Sequence, residues 1–224
     1  MSGAIVIGMV GDHSSPAMID HINFPLILTA ALLATASPGP STLAIAGTAM
    51  AHGRGQALAL GAGIISGSWI WSIAAALGLS AIMFANAWVF DVLRYLGAGY
   101  LLYLAYRSTL GVLSVRQVKL RSISTRSCLA AYGKGLAMHL TNPKAILFFG
   151  ALYSVGVPVT ATALELAAVV LAIGLQSVWV FVTYAVLFSN HRVVAVYLRL
   201  RRWFEGAFAL AFGFAGLKLL TARF

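Results

Sequence analysis

Two short proline motifs are the segments of this sequence whose residue types and spacing could do chemistry. The first is Ser37-Pro38-Gly39-Pro40-Ser41, and the second is Asn142-Pro143-Lys144. Each proline lacks a backbone N–H and its ring clashes with the preceding turn, so we expect no continuous helix through either motif. Broken backbone at membrane depth persists only where protein groups or a water-lined cavity satisfy it. For either motif taken alone, a kink without a ligand is the alternative interpretation.

The chemistry expected at these motifs is the binding of an anion. A helix that restarts after the first motif would present unpaired N–H groups, with Ser41 and Thr42 nearby, to a group such as a carboxylate. Lys144 is the one charged residue within an otherwise apolar span, where an ionisable side chain is costly and by default functional. It could meet a substrate carboxylate or take part in proton coupling. Alternatively, it reaches the cytoplasmic face beside Lys134 and His139.

Four further polar residues are candidates for roles in the same site. Asp91, Glu165 and Glu205 join Lys144 as proton-coupling candidates, although all three acids lie near the ends of their predicted spans, where a carboxylate is commonly solvated. Gln176 lies near the middle of its span. Since a buried amide must find a hydrogen-bond partner, Gln176 either faces the pathway or bonds a neighbouring helix.

Composition places these residues in a membrane. Of the 224 residues, 61% are hydrophobic and 9% are charged, against roughly 25% charged in soluble domains. About 20 apolar residues span a bilayer as a helix, and four long stretches contain no Asp, Glu, Lys or Arg: 21–53, 55–90, 145–164 and 166–191. The single Cys128 allows no internal disulfide. The sequence therefore predicts an all-α integral membrane protein.

We predict six transmembrane helices, at about 24–47, 57–84, 88–106, 135–153, 162–188 and 203–220. Residues 1–23 form a short polar tail, with Met1 or Met18 as the start, and 24–224 form one domain. The basic residues lie between spans, which indicates topology and lipid contact and not nucleic-acid binding. Positive loops stay in the cytoplasm, so both termini are predicted outside. The basic residues of these loops are Arg54, Arg107, Arg116, Lys119, Arg121, Arg126, Lys134, Arg192, Arg199, Arg201 and Arg202.

The two halves of the chain are predicted to be an inverted repeat. Pro38 and Pro143 are 105 residues apart, and shifting 57–84 by 105 gives 162–189, which matches the fifth span. Because three spans per half is an odd number, the halves have opposite orientations. Repeat one covers about 24–106, a basic loop about 107–134, and repeat two about 135–220, with helices 1 and 4 broken at the proline motifs. Paired breaks at corresponding positions indicate a transporter site near the midplane.

Other classes fit less well. Metal export would need clustered ligands along the path, but the five histidines are scattered. Ser66 and His139 could form a serine-protease dyad, yet no Gly-x-Ser-x-Gly surrounds the serine. A membrane scaffold leaves the paired breaks unexplained. The motif Gly63-x-x-x-Gly67 indicates helix packing, either internal or in a dimer.

Three motifs in order resemble the LysE/RhtB family of bacterial amino-acid exporters. They are Ala36 to Pro40 followed by glycines at 53, 61, 63 and 67; Leu96 to Leu104; and Gly135 with 140–145 and Phe148-Phe149. The resemblance covers about 18–224. Two departures concern the Phe- and Ala-rich last span and the stretch 153–158, where many members have a proline-aromatic turn with a Gln. They leave the substrate open.

The resemblance implies a secondary transporter of the bacterial inner membrane that exports amino acids or their derivatives. It implies coupling to the proton motive force and a homodimer. From the residues themselves we expect no cofactor, no metal site and no enzymatic activity. It also places Pro38, Gly39, Pro40 and the second motif at the transport core. An exporter of another small solute or metal ion, or a scaffold, remains the alternative.

Overall fold

The computed structural model describes residues 22–83, 87–114, 120, 122–158 and 160–221. Across these ranges the secondary structure is seven α-helices with no strand, which confirms the all-α class. Nearly all of the predicted N-terminal tail lies outside the described residues. The helices are α1 Phe24–Ala36, α2 Pro40–Met83, α3 Ala87–Leu113, α4 Cys128–Leu140, α5 Pro143–Gly156, α6 Ala163–Leu187 and α7 His191–Thr221.

Both proline motifs separate consecutive helices, as their sequences predict. α1 ends before Ser37 and α2 begins at Pro40. Similarly, α4 ends at Leu140, and α5 begins with Pro143 after the cap Asn142. Proline suits the first helical position because its missing N–H would have no intrahelical partner there. The same residues that stop one helix therefore start the next.

Gly53 bends α2 where a loop was expected. Its φ of 80° and ψ of 177° separate two helical segments, 40–52 and 54–83, and such angles are essentially restricted to glycine. Among the described residues, two stretches are long and apolar enough to cross a membrane: Pro40–Gly78, with mean hydropathy 1.5, and Ala163–Leu187, with mean hydropathy 2.2. Between α3 and α4 the connection is shorter than the predicted basic loop 107–134.

Close backbone contact joins α2 to α4. A Cβ on Gly63 would lie 2.7 Å from the Leu136 nitrogen and would overlap the Tyr132 carbonyl. A Cβ on Gly67 would lie 2.9 Å from the His139 Cβ. The Gly63-x-x-x-Gly67 motif is thus used inside the chain, the first of its two predicted uses.

Within the described residues, the helices bury two apolar clusters and leave large apolar side chains outside. α3 packs against α7 and α5, while α6 packs against α2 and α1. On the outer surface, Trp179 is 65% exposed, Phe214 68% and Leu210 78%. Exposed apolar area of this kind is unfavourable in water and suits contact with lipid.

Candidate substrate site at the two helix breaks

The side chains of the two proline motifs meet. The Lys144 ammonium, at the start of α5, donates a hydrogen bond to Ser37 Oγ at 2.9 Å, and Ser37 caps the C-terminus of α1. Lys134, one of the two residues named beside Lys144 in the alternative interpretation, donates to the Ser124 carbonyl at 2.9 Å. Lys144 is half-buried. The ammonium group of the second proline motif is therefore held against the first motif by a hydrogen bond.

Side-chain hydroxyls satisfy two backbone carbonyls of the first helix break, which lies between α1 and α2. The hydroxyls of Tyr184 and Tyr197 both donate to the Ala36 carbonyl, at 3.1 and 3.2 Å. Thr42 Oγ1 donates to the Ser37 carbonyl at 3.2 Å. Non-helical backbone at membrane depth needs such partners, so this break is built into the fold.

A cavity of about 60 Å³ lies at the junction of the breaks. By the same kind of measure about 10–15 Å³ suffices for one water molecule, so several waters fit. Six predicted site residues line it, while Pro38, Pro143 and Gln176 do not. The lining residues are Ala31, Ala34, Thr35, Ser37, Gly39, Pro40, Ser41, Thr42, Ser68, His139, Asn142, Lys144, Ala145, Phe148, Phe149, Ile173, Ser177 and Phe181.

The N-terminus of α2 contributes donors to this cavity. The Gly39 carbonyl accepts the first intrahelical bond, from the Leu43 N–H at 3.0 Å. The N–H groups of Ser41 and Thr42 precede that bond, and the helix dipole makes this end electropositive. Ser41 Oγ is buried without a hydrogen-bond partner in the described part of the chain. Together with Lys144, these groups form a site suited to a carboxylate.

Sequence reasoning missed the polar pair Ser68 and His139. Ser68 Oγ lies 3.1 Å from His139 Nε2, and both residues line the cavity. The serine that meets His139 is not Ser66, the member of the dyad that the sequence argued against; Ser66 accepts a hydrogen bond from the Tyr132 hydroxyl at 3.0 Å. The sequence signal that could have indicated a role for His139 was its position, three residues before Asn142 of the second motif.

Gln176 bonds a neighbouring helix, the second of its two predicted alternatives. Its Nε2 donates to the Leu28 carbonyl at 2.9 Å, which ties α6 to α1. Glu165 occupies the start of α6, where its carboxylate accepts from the Thr162 N–H at 2.8 Å in a capping box. This geometry satisfies the helix terminus.

Glu205 is placed differently from its prediction. Because α7 begins at His191, Glu205 lies in the middle of a helix and is 7% exposed. Its carboxylate lies 3.7 Å from Arg201 Nε and interacts electrostatically with Lys144. Asp91 lies in α3, but its side chain is outside the described part of the structure.

Comparison with known proteins identifies the family. The family model described as LysE type translocator matches residues 32–223. The chain belongs to this family. Members are translocators, so the protein is a membrane transporter and not an enzyme.

Named relatives cover most of the chain. The threonine efflux protein of Salmonella typhi is 29% identical over 194 residues, which is 86% of this chain and 94% of the relative. The leucine efflux protein of Klebsiella pneumoniae is 31% identical over 155 residues, 69% of this chain and 73% of the relative. The threonine efflux protein of Escherichia coli strain K12 is 29% identical over 203 residues, 88% of this chain and 98% of the relative. No solved structure matches the chain.

Proposed function

We propose that this LysE-type translocator exports an amino acid or a close derivative across the bacterial inner membrane. The observation that carries the proposal is the hydrogen bond from Lys144 to Ser37 beside the N-terminus of α2. A carboxylate entering the cavity would replace Ser37 as the acceptor for the ammonium. The relatives named for threonine and leucine efflux support an amino acid as the substrate class.

Six spans in two inverted repeats are part of the proposal, and the helix bounds support them. Adding 105 to the bounds of α1 gives 129–141, against Cys128–Leu140 for α4. The same shift of α3 gives 192–218, against His191–Thr221 for α7. The first and fourth spans then each consist of two half-helices, α1 with 40–52 and α4 with α5. Alternating access would move the repeats around the shared site.

The proposal includes an orientation with both termini on the outer side of the membrane and assembly as a homodimer. Basic loops on one side favour both termini outside, and a C-terminal alkaline phosphatase fusion should then be active. The homodimer that the resemblance implies must use a surface other than Gly63-x-x-x-Gly67, because that motif is buried against α4.

Proton coupling is proposed to use Lys144 and Glu205. They interact electrostatically, and Glu205 is largely removed from solvent. Proton movement on or off this pair would change how strongly Lys144 holds a carboxylate. Glu205→Gln should abolish transport driven by an imposed pH gradient in inverted vesicles while keeping exchange of labelled for unlabelled substrate. Unchanged gradient-driven transport would remove Glu205 from the mechanism.

Efflux of a labelled amino-acid panel from cells tests the main proposal. Cells expressing the protein should release one or a few amino acids faster than cells with an empty vector. Lys144→Ala should abolish the excess, whereas the matched control Lys134→Ala should keep it because the Lys134 ammonium bonds Ser124 away from the cavity. Immunoblots of membranes establish insertion of each variant. Full export by Lys144→Ala would refute the assigned site.

A further inference from the structure

Two buried polar atoms in the cavity lack hydrogen-bond partners within the described residues: His139 Nδ1 and Ser41 Oγ. Their residues are only 6% and 7% exposed, and they come from different helices, α4 and α2. A buried polar atom without a partner is costly, and such atoms in a native structure call for an explanation. A polar ligand in the cavity would supply the missing partners.

The imidazole of His139 is held in place from several sides. Ser68 Oγ contacts Nε2 at 3.1 Å, and the Phe181 ring lies edge-on with its centroid 6.4 Å away. Gly67 provides the space, since a Cβ there would lie 3.1 Å from His139 Cδ2. With Nε2 engaged by Ser68, Nδ1 is the ring nitrogen left for a ligand.

The lining of the cavity determines which part of a ligand His139 can meet. Lys144 and the start of α2 attract the anionic end of a substrate. The described lining residues include no Asp or Glu, so a cationic end must rely on neutral acceptors and aromatic rings. An imidazole nitrogen is such an acceptor, and the rings of Phe148, Phe149 and Phe181 also line the cavity, where they can attract a cation.

We propose that His139 Nδ1 accepts a hydrogen bond from the α-ammonium group of the substrate, with Ser68 positioning the imidazole. This inference rests on the proposed function, in which the carboxylate of the same substrate meets Lys144. Both subsites belong to one break, because the Asn142 N–H donates to the His139 carbonyl at 3.2 Å and the Lys144 N–H to Asn142 Oδ1 at 3.1 Å.

This arrangement selects α-amino acids by their ammonium group. A 2-hydroxy acid with the same side chain keeps the carboxylate but lacks the charge that His139 receives. An N-acetyl amino acid also lacks that charge and adds bulk in a cavity of about 60 Å³. We therefore expect the protein to discriminate against both analogues.

The test uses purified protein in proteoliposomes and exchange of a labelled amino acid against unlabelled competitors. In the unmodified protein, the amino acid should compete more than tenfold better than its 2-hydroxy analogue. His139→Gln retains a polar group near Nε2 but none at Nδ1, so the preference should fall about 10- to 100-fold. His139→Asn retains a polar group near Nδ1 and should keep more of the preference.

Serine variants provide a matched pair on α2. Ser68→Ala should reduce the preference because the imidazole loses its positioning contact, whereas Ser66→Ala should leave it unchanged. Thermal unfolding in detergent shows whether each variant is folded, and the serine pair tests the inference even if His139 variants misfold.

The outcomes separate the two proposals. If the unmodified protein exchanges no amino acid, both proposals fail. If it does, but His139→Gln and Ser68→Ala discriminate as it does, only the role of His139 is refuted. Equal loss of amino acid and 2-hydroxy acid transport in a folded His139→Gln or Ser68→Ala variant would also overturn ammonium recognition.

Discussion

Replacing Gly63 by alanine should force α2 and α4 apart and destabilise the fold. The new Cβ would lie 2.7 Å from the Leu136 nitrogen, about 0.7 Å inside an ordinary contact of 3.4 Å, and would overlap the Tyr132 carbonyl. Backbone atoms cannot rotate away, so the helices must move. Overpacking costs about 1–3 kcal/mol, against a gain of about 0.5–1 kcal/mol for alanine over glycine within a helix. The difference between these two ranges is about 0–2.5 kcal/mol, and because the overlap is with backbone atoms we place the net loss above the lower end, at about 1–2 kcal/mol.

Thermal unfolding in detergent, followed by circular dichroism, measures this loss. For a chain of this size each kcal/mol corresponds to about 2–4 °C in Tm, so Tm should fall by about 2–8 °C. Gly133→Ala on α4 is the control, since no atom lies within 4 Å of its Cβ position, and its Tm should stay the same or rise. Equal Tm values for the two variants would refute the close helix contact. Export should fall with Gly63→Ala as well, because Ser68 and His139 meet across the same interface.

Three further predictions concern individual side chains and one glycine. Tyr184→Phe and Tyr197→Phe each leave the other hydroxyl on the Ala36 carbonyl oxygen. In chemical unfolding each single variant should therefore lose little free energy of unfolding, and the double variant should lose more than the sum of the two. Additive losses would contradict a shared acceptor. Glu165→Ala should lower the free energy of unfolding by about 1 kcal/mol because the capping box is lost, but it should retain export driven by a pH gradient. If that export were lost, Glu165 would be a proton carrier. Gly53→Ala should cost about 1–3 kcal/mol because of its backbone angles alone, whereas Gly55→Ala, also without neighbours within 4 Å, should be neutral in the same thermal assay.

Local chemistry made the helix breaks predictable from the sequence. Pro40 and Pro143 cannot continue a preceding helix, and both start a new one in the structure. The apolar runs predicted helices because every backbone group must be satisfied within a membrane. These conclusions depend on neighbouring residues only, so no knowledge of tertiary packing was needed.

Long-range contacts were not predictable in the same way. Ser68 and His139 are 71 residues apart, and nothing in the local sequence distinguishes Ser68 from Ser66. Which of the two serines meets His139 depends on the rotation of α2 against α4, and the contacts of Gly63 and Gly67 determine that rotation. Glu205 was misplaced for a related reason: the basic residues before it resembled a loop, although α7 already includes them.

At the first helix break, between α1 and α2, carbonyl acceptors have hydrogen-bond partners while donors remain available, and this difference supports anion binding there. Two carbonyls at the end of α1 have side-chain donors: two tyrosines bond Ala36, and Thr42 bonds Ser37. The donors at the start of α2 precede the first intrahelical bond. The Lys144 ammonium has three N–H groups, of which one bonds Ser37. A break that occupies these acceptors and retains donors attracts an anion more than a cation. The acceptor left over in the cavity, His139 Nδ1, is then best explained by an ammonium group carried on the same ligand.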